Sequence, residues 1–310
     1  MGRIIEEIRN GQEQLREKIL RAVVTDSCCS IDPQTALRWG VMVVRQKINW
    51  PDKTTSSDFE MPSSEFYKKM KRDGVPKTSG APAGEFEQVY ESFYGQGIRE
   101  IVSLHVSGGE SGTFNFARQG AVLAAEKYPD LKIKVINTRS LSLGQWFLVA
   151  EAKNLADMGD SLDSIETKIL AAIPNNIIGI SLSNIGNAVL GGRLPGVVDL
   201  VNSAMHISAQ IRLDEDGKVV QSGKVRGEKK GLIAIADSIK READRRKILP
   251  TRLGVVYTKD KDIGHELVGK LSGYWGRQDV ICYGPTEAGA VLGVHAGERA
   301  CGVAAFWGKN

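Results

Sequence analysis

The stretch Ile98-Arg-Glu-Ile-Val-Ser-Leu-His-Val-Ser-Gly-Gly-Glu-Ser-Gly-Thr113 decides how this chain is read. Its first part, 98–106, is apolar and β-branched and predicts a buried strand. Ser107, Gly108, Gly109, Glu110, Ser111 and Gly112 then make a sharp polar turn. Phe114, Ala117, Ala121, Ala124 and Ala125 recur at helical spacing, so a helix opens directly on that turn. A strand that feeds through a glycine turn into a helix is the repeating unit of a parallel α/β sheet. The same grammar extends both ways. Upstream, 21–27 is a buried strand with a polar tip, 41–48 is a β-rich run, 63–70 is a helix carrying Phe66, Tyr67 and Met70, and Phe86, Val89, Tyr90 and Phe93 mark another helix. Between those helices, 77–82 reads as a polar loop. Downstream come a strand at 131–137 and a helix at 143–158 closed by Gly159. The expectation is a mostly parallel sheet covered on both faces, with ligands beyond the carboxyl ends of its strands. Asp26, Ser27 and the 107–113 turn lie at such ends.

Past residue 160 the alternation loosens. Helical signals remain at 161–172 and 231–245. Strand-like runs fall at 177–182, 209–213, 218–222, 253–257, 280–283 and 302–306. Asp214-Glu-Asp-Gly217 between two of them is a hairpin signal. The reading is therefore an α/β domain over 21–158 and a smaller α+β domain over 159–310. A helical extension precedes them at 1–20, where Ile4, Ile8, Leu15 and Ile19 form one apolar face. The segment 289–302 holds too many glycines for an ordinary helix or strand.

The chain has 310 residues, 42% hydrophobic and 25% charged, an ordinary globular mix that needs no disulfide or metal staple. Forty-one basic against thirty-seven acidic residues leave a net charge of +4, too little to imply nucleic acid. The four cysteines form no C-x-x-C pair and the four histidines no ligand spacing, so neither a disulfide framework nor a metal is expected. No apolar run is long enough for a membrane span. The charged N-terminus is unlike a signal peptide. A cytoplasmic protein without cofactor is the expectation.

The 107–113 turn suits an anion. Unpaired N–H groups and the positive dipole end meet there, serine and threonine hydroxyls add donors, and glycine permits close approach. Ser111 can equally serve only as a helix cap, and the two roles are compatible. The turn is not a phosphate loop, having no Gly-Lys-Ser/Thr, nor a G-x-G-x-x-G dinucleotide cradle. It is not a G-x-S-x-G nucleophile elbow either, because Thr113 stands where the last glycine would. Lys77-Thr-Ser79 is a second hydroxyl cluster, and Gly191-Gly-Arg193 sets a cation beside a turn.

Taken in order, Val24-Thr-Asp-Ser27, Lys77-Thr-Ser79, Ser107 to Thr113, Gly191-Gly-Arg193, Lys224-Val-Arg-Gly-Glu-Lys-Lys230 and Gly293-Val-His295-Ala-Gly297 resemble the DegV family of bacterial fatty-acid-binding proteins. The resemblance implies a long-chain fatty acid lying in an apolar tunnel between the two domains. It implies a carboxylate held by Thr78, Ser111 and His295, with Asp26, Ser27, Ser79, Ser107 and Thr113 in support. It further implies that the protein presents its ligand to a separate fatty acid kinase subunit, with Arg193 touching that partner, and is not itself an enzyme. Gly108 and Glu110 replace the family's usual Ser and Leu, and Glu110 is expected to face solvent. Two other readings stand beside this one. The first is a serine hydrolase or acyltransferase with Ser111 or Ser107 as nucleophile, His295 as base and Asp26 as orienter. The second is a phosphate-binding module built on the glycine turn.

Overall fold

The computed structural model describes residues 21–183, 207–275 and 280–308. The expected helix over 1–20 and the proposed partner residue Arg193 lie outside the described residues.

The chain begins with β1 (Arg21–Asp26), a short 3-10 turn (Ser27–Cys29), α1 (Pro33–Arg38) and β2 (Val41–Val44). Three short strands follow with a helix between them: β3 (Lys47–Asn49), β4 (Thr55–Ser57), α2 (Ser63–Asp73) and β5 (Lys77–Ser79). Then come α3 (Ala83–Gly95), β6 (Glu100–His105), α4 (Thr113–Lys127), β7 (Lys132–Asn137), α5 (Ser142–Asp157) and α6 (Leu162–Ala172). The later part holds β8 (Asn176–Leu182), β9 (Ile207–Leu213), β10 (Val219–Arg226), α7 (Glu228–Arg246) and β11 (Arg252–Tyr257). It ends with α8 (Lys261–Ser272), β12 (Ile281–Glu287), α9 (Ala290–Ala296) and β13 (Ala300–Phe306).

Strands β2-β1-β6-β7 form one sheet, parallel throughout. Alternate side chains on a strand face opposite ways, and β1 shows the consequence. Ala22 and Val24 pack with Phe86, Tyr90, Ala117 and Ala124 of α3 and α4. Val23 packs on the opposite side with Trp146, Phe147 and Val149 of α5. A second sheet runs β10-β9-β8-β13-β11-β12, antiparallel except for β11 with β12. One of its faces is covered by α7 and α8 through Leu232, Ile235, Ile239, Leu267 and Leu271. Its other face meets α5 through Ile178, Val256, Ala304 and Phe306. Helix α5 is thus shared between the sheets, and apolar residues occur all round it, as such a position requires.

Three features differ from the sequence reading. Residues 77–79 form a strand rather than a loop, because β3 pairs with β4 on one side and β5 on the other in a small antiparallel sheet. The glycine-rich segment after 289 contains a helix, α9. Its Gly293 is there for space, since a Cβ would collide with the Tyr67 hydroxyl nearly at 2.5 Å. Helices α1 and α8 lack a counterpart in the periodicity reading. The hairpin at Asp214–Gly217 forms as expected, with β9 and β10 paired in antiparallel register. No helix among the described residues is long and apolar enough to cross a membrane.

Candidate functional site

Between the carboxyl ends of the parallel strands and the inner face of the second sheet lies a cavity of about 130 Å³. Ile180, Leu182, Ile211, Val219, Val256 and Ala300 make its apolar wall on the second sheet. Thr78, Ser111, His295, Glu110 and Gln46 gather polar atoms on its lining. Neither sheet alone encloses it.

Thr78 owes its place to strand parity. In β5 it points inward, while Lys77 and Ser79 on either side are exposed. Its Oγ1 lies 2.8 Å from His295 Nε2, a bond joining residues 217 apart in sequence. The β5 loop closes onto the glycine turn: a Cβ on Gly80 would fall 2.7 Å from Thr113 Oγ1. Ser111 Oγ in turn lies 2.8 Å from Thr113 Oγ1. Three expected head-group residues therefore line one cavity, and Thr113 braces Ser111 among them.

Other expected residues have different work. Ser79 is turned away from the cavity and accepts a bond from Asn49 Nδ2 at 3.2 Å. Ser107 donates its hydroxyl to the Gly217 carbonyl at 2.7 Å and so ties the glycine turn to the β9–β10 hairpin. Arg139 Nη1 donates to the Glu215 carbonyl at 3.3 Å in the same junction. Glu110 corrects an expectation. It does not face solvent but lines the cavity, and its Oε1 accepts the Val219 N–H at 2.7 Å. The backbone donor at the start of β10 draws the carboxylate inward, which no local pattern announces.

Asp26 is a buried hub. Oδ1 accepts from Cys28 N at 3.0 Å and Gln46 Nε2 at 3.1 Å, and Oδ2 from Val106 N at 2.9 Å. Oδ2 also lies 3.0 Å from His105 Nδ1, whose Nε2 is 2.7 Å from Ser103 Oγ. Ser27 Oγ accepts the Gln46 N–H at 3.1 Å. These bonds fix Cys28, Gln46 and Val106, all of which line the cavity. The hydrolase arrangement is not assembled: Asp26 is spent on His105, while His295 meets Thr78 and Ser111 meets Thr113.

The lining thiols are held inert. Burial pushes Cys28 well up, and it pushes Cys301 to about 12, so both stay protonated at neutral pH. Burial likewise raises Asp58, beneath the cavity, to about 6. Among the described residues no group of three or more His, Cys, Asp or Glu is placed to hold a metal ion. Gln46, Ser142, Tyr257 and Thr258 also line the cavity and were not singled out from sequence. Gln46 lies inside the 41–48 run, where a strand reading gives a polar side chain no role.

The cavity lies between the loops beyond the parallel strands and the second sheet, with Thr78 and His295 bonded at one place on its lining. The model of the DegV family, a family of uncharacterised proteins, matches residues 21–307. The chain belongs to the DegV family. A DegV domain-containing protein of Caldanaerobacter subterraneus subsp. tengcongensis is 28% identical over 93% of this chain and 98% of its own length. Among solved structures, a DegV family protein from Thermus thermophilus described for its fatty acid binding is 25% identical, with a TM-score of 0.80 over 93% of this chain and 99% of its own. A stearic-acid-binding protein from Eubacterium ventriosum is 23% identical, with a TM-score of 0.83 over 93% and 98%.

Proposed function

We propose that this DegV protein binds a long-chain fatty acid, its tail in the cavity between the sheets and its carboxylate at Thr78, Ser111 and His295. The observation that carries the reading is the cavity itself: an apolar wall from the second sheet, with Thr78 Oγ1 and His295 Nε2 at 2.8 Å and Ser111 on the same lining. The solved relatives described as fatty-acid-binding support it. A sixteen-carbon tail has about fourteen methylenes at roughly 0.8 kcal/mol each, on the order of 11 kcal/mol before association costs. A charge-assisted bond adds about 1.5–3 kcal/mol. The tail therefore supplies most of the affinity, and the hydroxyls and imidazole fix which end points where.

On this reading the protein is a carrier that holds its ligand unchanged in the cytoplasm. Presentation of the carboxyl group to a separate kinase subunit, with Arg193 in contact, completes the proposal. The test is native mass spectrometry of the purified protein followed by organic extraction. A retained mass equal to a long-chain fatty acid is the expected result. Covalent labelling of Ser111 by a fluorophosphonate probe would instead revive the hydrolase reading.

A further inference from the structure

Thr78 and His295 come from opposite ends of the chain, yet one small frame holds both. Thr78 sits in β5, which pairs with β3, and β3 pairs on its other edge with β4. Asp58 is the first residue after β4. Its N–H donates to the Gln46 carbonyl at 2.9 Å, and its side chain is wholly buried. Its Oδ1 accepts the Val291 N–H at 3.2 Å, across 233 positions of sequence. Val291 is in the first turn of α9, where backbone donors lack partners within the helix. The residue before that turn, Gly289, has no side chain with which to cap it. Seven residues are also too few for a helix to stand without outside support.

Gly289 has a second meaning here. A Cβ at that position would fall 2.6 Å from Asp58 Oδ2, so glycine is what lets the carboxylate reach the helix. At the other end of the same helix stands His295, with Val291, Leu292 and Ala296 also lining the cavity.

We propose that Asp58 is a positioning residue for the head-group pair: by fastening the first turn of α9 to the three-stranded sheet that carries Thr78, it sets His295 Nε2 against Thr78 Oγ1. This rests on the fatty acid reading of the cavity. Asp58 touches no ligand. It works through α9, and an acceptor oxygen is the part of it that matters. Burial opposes its charge, while the Val291 N–H and the Ser27 hydroxyl favour it.

The experiment uses the full chain with three substitutions. Asp58→Asn keeps an acceptor oxygen in place, Asp58→Ala removes it, and Gly289→Ala pushes the carboxylate away. Calorimetry with hexadecanoic acid and with hexadecanol reads the head group apart from the tail. Asp58→Ala and Gly289→Ala are expected to weaken the acid about tenfold and the alcohol by less than about twofold, and Asp58→Asn to retain most of the wild-type affinity. In the lipid-free protein, the NMR titration of the His295 ring is expected to move in Asp58→Ala and Gly289→Ala but to stay in place in Asp58→Asn. Equal weakening of acid and alcohol with an unmoved His295 titration overturns the proposal and leaves Asp58 an ordinary buried acid. Should the wild type bind neither ligand, the fatty acid reading fails, and the His295 titration alone decides for or against Asp58. If Asp58→Ala does not fold, Gly289→Ala carries both arms of the comparison.

Discussion

A hydroxyl that serves a carboxylate can be told from one that serves only the fold by asking what its removal does to an uncharged ligand. Thr78 and Ser111 line one cavity, and Thr78 is already bonded to His295. Removal of either hydroxyl is expected to cost about 1–3 kcal/mol toward a fatty acid and almost nothing toward the alcohol of equal length. Groups in one hydrogen-bond network typically couple by about 0.5–3 kcal/mol, so the double variant Thr78→Ala/Ser111→Ala should depart from the sum of the singles. Strict additivity in a calorimetric cycle would mean that the two hydroxyls do not share one anion. Asp58 gives a second expectation at this scale. Its folded value of about 6 lies above the usual 3.8, so the native state prefers the protonated acid. That stabilisation is complete below the unfolded value and disappears as pH rises through the folded one. At 1.36 kcal/mol per unit it amounts to about 3 kcal/mol. Ser27, Cys28 and Cys29 lie near the carboxyl, and none carries a compensating positive charge. In denaturant melts from pH 4 to pH 7, Asp58→Asn should therefore gain stability relative to wild type as pH rises. A difference independent of pH would mean that Asp58 stays in one protonation state across that range.

The β9–β10 hairpin shows what an element adds to its residues. Its turn is clasped to the glycine loop by Ser107 on the Gly217 carbonyl and by Glu110 on the Val219 N–H. Gly217 has a φ of 78°, and a Cβ there would also run into Ser107 Oγ and, at 2.7 Å, into Arg139 Cα. Gly159 has a φ of 88° with nothing within 4 Å. Gly159→Ala should thus cost only the left-handed penalty of about 1–2 kcal/mol. Gly217→Ala should cost more, and should speed proteolysis within the hairpin while leaving the parallel sheet protected. Equal costs would mean that the clasp is not tight. The strand–turn–helix repeats of the first sheet were legible because each spans enough residues to show a period. The strand at Thr78 was not, since three residues carry no period and its partner Ile48 lies thirty positions away. Helix α9 was hidden by Gly293, whose presence reflects the Tyr67 hydroxyl rather than any local preference for a turn. Of the candidate site, motif order pointed to Thr78, Ser111 and His295. The inward turn of Glu110 and the role of Asp58 depend on backbone donors 109 and 233 positions away, and no local pattern encodes them.

At the scale of the whole molecule, one helix binds the two sheets into a single body. Phe147 of α5 is fully buried and meets Tyr283 and Phe306 of the second sheet, with ring centroids at 5.4 and 6.5 Å. Val23, Val102 and Leu104 of the parallel sheet belong to the same apolar cluster as Phe147. The two sheets should consequently unfold together, in one calorimetric transition. Phe147→Ala should destabilise both by about 3–5 kcal/mol, the cost of emptying a buried aromatic site. A ligand in the cavity lies between the loops beyond the parallel strands and the second sheet, and acts on that same transition. A ligand at one hundred times its dissociation constant adds about 2.7 kcal/mol to the stability of the state that binds it. In a chain of 310 residues each kcal/mol moves the melting point by roughly 1.5 °C, so a fatty acid at that concentration should raise it by about 4 °C. Hydrogen exchange then locates the effect. If the fatty acid bridges the two parts, protection rises together at Val106, just beyond β6, and in β13, both of which line the cavity. Protection that rises in one sheet while the other is unchanged, or a melt that splits into two transitions, would mean that α5 does not couple them and that the ligand rests on one wall alone.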